Sequence, residues 1–119
     1  MTRLAEFKKE RDRLNKRILE TANLTTKRFF ALDDQCYKDG ALPARTKELM
    51  GLVGSLVLRC DDCIAYHVIR CAEEGFRDEE LQEAFSVGLV VGGSIVIPHL
   101  RRAVALLDEV REEEKSSSE

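Results

Sequence analysis

Between Glu48 and Arg59 the chain carries no charge. Leu49, Met50, Leu52, Val53, Leu56, Val57 and Leu58 fill that stretch, and at helical spacing they cover most of the circumference. A helix apolar on nearly all sides is buried. Leu42-Pro43 opens it, since proline is tolerated in a first turn. Gly51, Gly54 and Ser55 are small and let a neighbouring helix come close. The fold is therefore expected to be built of helices around a buried one.

The flanking segments carry the same period. Leu4, Phe7, Leu14, Ile18 and Ala22 form a narrow apolar seam on an amphipathic N-terminal helix, residues 1–24, with Arg11 interrupting. Such a seam suits packing on another helix, from this or another subunit. Thr25 and Thr26 are expected to weaken the helix, because branched, hydroxylated side chains disfavour helix interiors. A second helix is expected over about Lys27 to Tyr37, with Lys38-Asp39-Gly40 as its stop and Gly40 in the capping position. Arg59 ends the buried helix and Cys60 opens the next, which stops at Glu74-Gly75. Asp78 is the expected cap of a further helix carrying Leu81, Ala84, Phe85 and Leu89. Gly92-Gly93 breaks that helix, Ser94 caps the last one, and the polar tail, residues 111–119, is expected to fray. Val90-Val91 and Ile95-Val96-Ile97 favour strands, but the adjacent glycines and Pro98 argue against one. The reading is an all-α, single-domain helical bundle of about six helices with its main body over residues 27–110.

Composition narrows the function classes. With 34% charged residues and a net charge of −3, the chain suits neither nucleic acid nor an anionic membrane as main partner. The uncharged stretch Ala84 to Leu100 falls short of the roughly 20 apolar residues a membrane span needs. Met1 to Asn15 is charged throughout and has no signal-type apolar core, so a cytoplasmic location is expected. In such a setting the four cysteines read as catalytic or metal-binding thiols.

The chemistry concentrates in Cys60-Asp61-Asp62-Cys63-Ile64-Ala65-Tyr66-His67. At roughly 100° per residue, Cys60, Cys63 and His67 fall within an arc of roughly 80°, and Cys71, a turn further on, shares that face. Thiols at i and i+3 can meet the separation a disulfide needs. Cys63 and His67, at i and i+4, are neighbours. Three readings stand: a redox-active dithiol with a proton acceptor, a zinc site of Cys60, Cys63 and His67 closed by His99 or Cys71, and cysteines packed as inert core. The helix start favours a thiolate, while Asp61 and Asp62 oppose it. His67 is better placed to deprotonate Cys63 than Cys60, so Cys63 is expected to attack and Cys60 to resolve. Cys60, nearer the helix start, is expected to be the more accessible to a reductant.

Glu48 joins by geometry. If the helices meeting at Arg59–Cys60 are antiparallel, Glu48 lies roughly 16 Å from the corner and His67 roughly 10 Å, at about 1.5 Å per residue. The remaining roughly 6 Å is within reach of two side chains or one water. The alternative is a solvated first-turn carboxylate. Cys36 is expected to have no role, and His99 to be a packed or surface side chain unless it approaches the site.

Pro43 through Glu48, Cys60-x-x-Cys63-x-x-x-His67, Gly75 and Gly92-Gly93 together resemble the carboxymuconolactone decarboxylase and alkyl hydroperoxidase D family, over about Phe29 to Leu107. The resemblance implies an all-helical fold assembled as homotrimers or homohexamers. For the hydroperoxidase branch it implies a dithiol that reduces a peroxide substrate and is re-reduced by a lipoyl-type or other dithiol. Cys63, Cys60, His67 and Glu48 match that branch's proton-relay residues, with the second thiol next to the relay. No cofactor and no resident metal are implied. One departure stands out: the hydroperoxidase has a histidine directly before the second cysteine, where this chain has Asp62. The lactone decarboxylase branch lacks the dithiol in its usual form, so that activity is not expected.

Overall fold

Asn23, and not the threonines after it, divides the first two helices. Its Oδ1 accepts the Thr26 N–H at 3.0 Å, so Thr25 and Thr26 lie inside the second helix as first-turn residues. In a first turn the backbone N–H groups lack partners, and a short polar side chain just outside supplies one. The computed structural model describes residues 1–118. They form α1 (Arg3–Thr21), α2 (Leu24–Cys36), α3 (Ala44–Leu58), α4 (Asp61–Glu73), α5 (Asp78–Gly92), a 3₁₀ turn (Ser94–Val96) and α6 (Ile97–Ser118). Among the described residues there is no strand, as the flanking glycines and Pro98 lead one to expect.

The chain resolves into two compact units, Met1–Ala44 and the part from Arg45 onward. In the first, Thr2 caps α1 by accepting the Ala5 N–H at 3.0 Å. Leu4 is buried, whereas Leu14 and Ile18, further along the same seam, are exposed. α2 ends at Tyr37, whose N–H reaches the Asp34 and Gln35 carbonyls. Gly40 is thus not the expected cap; it sits in the turn that follows, its N–H donating to the Leu42 carbonyl. Asp39 receives the Ala44 N–H at 2.7 Å, which caps the start of α3 directly after Pro43.

The second unit holds the larger core: Leu52 and Leu56 of α3, Ile64 and Val68 of α4, Leu81 and Phe85 of α5, Val96, and Leu106 and Leu107 of α6. At Gly88 the α5 backbone runs so close to α3 that an added Cβ would stand 3.1–3.2 Å from Leu56 side-chain atoms. α3 itself is buried only along Glu48, Leu52, Ser55 and Leu56, a stripe of helical period. Leu58 is 77% exposed and Met50 is exposed too, contrary to the all-round burial expected. A helix in a small bundle meets neighbours along one stripe; its other apolar side chains lie on the chain's outer surface.

At the helix ends, α4 agrees with expectation and the others differ. α4 stops in a Schellman turn, with Gly75 at φ 83 and the Gly75 and Phe76 N–H groups on the Ala72 and Cys71 carbonyls. α5 is capped one residue earlier than expected: Arg77 is the cap residue, and its N–H donates to Glu80 at 2.9 Å. Asp78 instead accepts from Arg111 Nε at 2.8 Å. Ser94 opens the 3₁₀ turn rather than α6, which starts at Ile97. α6 runs on through the polar tail to Ser118, while Glu119 lies outside the described residues.

Candidate functional site

The site begins where α3 ends. The Arg59 N–H donates to the Leu56 carbonyl at 3.0 Å and the Cys60 N–H to the Ser55 carbonyl at 3.1 Å. That pair of bonds is a Schellman turn, a motif that normally has glycine in its left-handed position. Here Arg59 occupies it at φ 58. Cys60 then serves as the cap of α4, its Sγ accepting the Cys63 N–H at 3.3 Å and its carbonyl the Ile64 N–H at 2.9 Å. One residue therefore closes α3 and opens α4.

Cys60 and Cys63 are joined as a disulfide with their Cα atoms 5.2 Å apart. Cys63 is the exposed member and Cys60 is half-buried. This reverses the expected order of access. Cys60 is tucked into the turn by its two backbone bonds, whereas Cys63 stands on the open side of the first helical turn.

Four residues beyond Cys63, His67 is buried, its ring edge-on to Tyr66 at 5.1 Å. His67 Nδ1 lies 2.9 Å from Glu48 Oε2, and Glu48 is only 2% exposed. Glu48 is therefore not a solvated first-turn carboxylate, and the antiparallel corner brings it to His67 as the spacing suggests. With Glu48 as a carboxylate, which can only accept, the shared proton sits on His67 Nδ1. The other carboxylate oxygen, Oε1, lies 3.5 Å from Arg70 Nε. Arg70 also pairs with Glu73 and Glu74; burial works against its charge, but the Glu73 hydrogen bond and charge, with Glu48 adding to them, hold the guanidinium above the usual arginine range. Arg70 escaped the sequence reading; its signal was its place at i+3 from His67.

A second cluster stands at the start of α4. Asp61 Oδ1 lies 2.7 Å from His99 Nδ1, and Arg102 Nη1 donates to Asp61 Oδ2 at 3.0 Å. His99 comes to the residue after Cys60 from the first turn of α6. Nothing in the sequence pairs Arg102 with Asp61, 41 positions away. Of the remaining cysteines, Cys36 is exposed and Cys71 buried. Burial, with Glu48 adding to it, pushes the Cys71 thiol up to about 12. Among the described residues no group of three or more His, Cys, Asp and Glu is placed to hold a metal ion. Of the side chains expected to close a zinc site with Cys60, Cys63 and His67, Cys71 is buried in the core and His99 lies against Asp61.

The fold and site together define a class: a helical protein with a disulfide-forming C-x-x-C pair at a helix start and a buried carboxylate–imidazole pair beside it. The model of the carboxymuconolactone decarboxylase family matches residues 23–106. Two crystal structures of one Thermotoga maritima protein superpose with TM-scores of 0.91 and 0.90. They are 59% and 57% identical to this chain and cover 93% and 96% of it and 97% of their own chains. That protein is described as a carboxymuconolactone decarboxylase family protein with a suggested part in the antioxidative response. The apo form of a family member from Legionella pneumophila is 29% identical, with a TM-score of 0.71, covering 92% of this chain and 95% of its own. Uncharacterized protein 4 in the cox locus of Paracoccus denitrificans is 35% identical over 82 residues, 69% of this chain and 74% of that one. The chain belongs to the carboxymuconolactone decarboxylase family. No helix among the described residues is long and apolar enough to cross a membrane.

Proposed function

We propose that this chain is a thiol-dependent peroxidase, a dithiol–disulfide oxidoreductase of the alkyl hydroperoxidase D type. The observation that carries the reading is the Cys60–Cys63 disulfide standing one helical turn from a buried Glu48–His67 pair. In the reduced protein, His67 Nε2 takes the Cys63 proton, directly or through a water, while Glu48 holds the ring by Nδ1. The Cys63 thiolate attacks one peroxide oxygen, the O–O bond breaks, and the alcohol or water leaves with the proton from His67. Cys63 is then a sulfenic acid. Cys60 gives up its proton and attacks that sulfur as the thiolate; the hydroxyl leaves with that proton as water, and the disulfide forms. A dithiol donor of lipoyl type attacks the disulfide, passes through a mixed disulfide, and leaves as its own cyclic disulfide with both protein thiols restored. Two electrons move from donor to peroxide per cycle.

The exposure of Cys63 supports its role in attack and makes its sulfur the one a bulky donor meets first. The exposed apolar side chains Leu58, Val87, Val90 and Val91, with Val90 84% exposed, support assembly as a homotrimer or homohexamer. A dithiol that must be re-reduced on each cycle fits a reducing compartment, and so a cytoplasmic site of action. Neither nucleic acid nor a membrane enters the scheme.

The test is peroxide consumption by the pure protein with dihydrolipoyl and other dithiol donors, beside Cys63→Ser. Consumption that needs both donor and Cys63 is expected. Reduced protein that meets peroxide no faster than free dithiol does would leave an oligomeric protein with an inactive cysteine pair. A stable monomer in sedimentation at micromolar concentration would remove the assembly.

A further inference from the structure

The Asp61 cluster lies beside the less exposed thiol, and no step of the proposed cycle uses it. Asp61 and Asp62 put two carboxylates in the first turn of α4, directly after Cys60. Both repel a thiolate there. Asp61, however, is met by two groups from α6. His99 Nδ1 stands 2.7 Å from one of its oxygens and Arg102 Nη1 3.0 Å from the other, and the two nitrogens are themselves 3.5 Å apart. The His99 side chain is 18% exposed, whereas Asp61 is 44% and Arg102 57% exposed, so the cluster sits at the surface and is partly screened by solvent. Asp62 has no ion-pair partner among the described residues and is exposed. The structure thus treats two adjacent carboxylates differently, and the one bonded directly to Cys60 is the one whose charge is offset.

We infer that His99 and Arg102 are positioning residues that neutralise Asp61, so that Cys60 can form the thiolate that resolves the cycle. The inference rests on the dithiol reading of Cys60 and Cys63. It extends that reading by naming a second carboxylate–imidazole pair, one that serves Cys60 through Asp61 as Glu48–His67 serves Cys63. The charged groups concerned are Asp61 and Asp62 on α4, His99 and Arg102 on α6, and Arg59 in the preceding turn.

Chemical reactivity tests this without peroxide. In a Cys63→Ser background Cys60 is a free thiol, and its reaction with iodoacetamide is followed by peptide mass, with exposed Cys36 as internal reference. Replacing both partners, His99→Gln with Arg102→Gln, leaves Asp61 uncompensated. Cys60 should then react about two- to fivefold more slowly near neutral pH, the size expected of partly exposed ion pairs. The same double replacement made together with Asp61→Asn should have no effect, because no charge is left to offset. An equal slowing in the Asp61→Asn protein would overturn the inference, since His99 and Arg102 would then act without Asp61. No slowing in the protein that keeps Asp61 would overturn it as well, leaving the cluster as a clamp between α4 and α6. Asparagine keeps the shape of Asp61, glutamine removes the charge of Arg102 and the ring of His99, and helical content by circular dichroism checks that each variant is folded. Absence of peroxide consumption would defeat the proposed function yet leave this cycle of variants readable.

Discussion

Replacing Glu48 by glutamine isolates what the carboxylate does for His67. The shape is kept and a carbonyl oxygen still faces Nδ1; only the charge is lost. A hydrogen bond to a charged group contributes about 1.5–3 kcal/mol and a neutral one about 0.5–1.5. The difference is about 1–2 kcal/mol, and Glu48 is buried enough for little of it to be lost to solvent screening. Urea unfolding of Glu48→Gln near neutral pH should fall short of wild type by that amount. If the same charge steadies the imidazolium as Cys63 gives up its proton, alkylation of Cys63 should slow by about 5- to 30-fold, at a factor of ten per 1.36 kcal/mol. The assay is the pH profile of iodoacetamide reaction at Cys63 for wild type, Glu48→Gln, His67→Gln and the double variant. The double variant should be no slower than His67→Gln, because Glu48 acts only through that ring. Should Glu48→Gln match wild type across the profile while His67→Gln is slow, the reasoning fails and Glu48 is a structural carboxylate.

Cys71 should resist alkylation in the folded, reduced protein at pH values where Cys36 reacts readily, as peptide mapping would register. Its raised titration point, from 9.0 to about 12, favours the neutral thiol in the fold; that stability is complete below about 9 and is lost as pH climbs towards 12, so alkaline unfolding should shift in Cys71→Ala. Gly88→Ala should destabilise by about 1–3 kcal/mol through overpacking on Leu56, despite alanine's better helix propensity. Leu56→Ala alone should cost about 2–5 kcal/mol, and the pair should cost less than the two added, by urea unfolding. Arg59→Gly should raise the urea midpoint by about 0.5–1 kcal/mol equivalent, since glycine takes the left-handed turn without a Cβ clash.

Much of this was written in local spacing. Cys60, Cys63, His67 and Glu48 lie on two helices joined by one tight corner, and short-range geometry brings their side chains together. The Asn23 cap was hidden by competing signals: Asn23, Thr25 and Thr26 can each mark a helix end, and only the backbone decides which does. Arg77 capping α5 through its N–H and Glu80 is likewise a main-chain matter on which side-chain preference is silent. His99 and Arg102 meet Asp61 only because α6 returns along α4, a tertiary fact without local trace. The burial of α3 was overestimated because periodicity reports which faces are apolar and cannot say whether this chain or another covers them.

The corner at Cys60 has a consequence for how the molecule lives with its own oxidation. Its backbone is fixed on both sides by main-chain bonds, to Ser55 behind and Ile64 ahead, whatever the sulfur is bonded to. Cys63 is only three residues on, so the bond closes a small ring. On loop-entropy grounds such a ring restrains the unfolded chain by only about 2 kcal/mol, against nearly 5 for a ring of a hundred residues. The scaffold is thus largely indifferent to the arrival and departure of two electrons. A disulfide that stapled distant helices would make each reduction a partial melting. In the proposed cycle this one would open and close with little demand on the helices, the work of exchange being confined to two sulfur atoms and the protons that follow them.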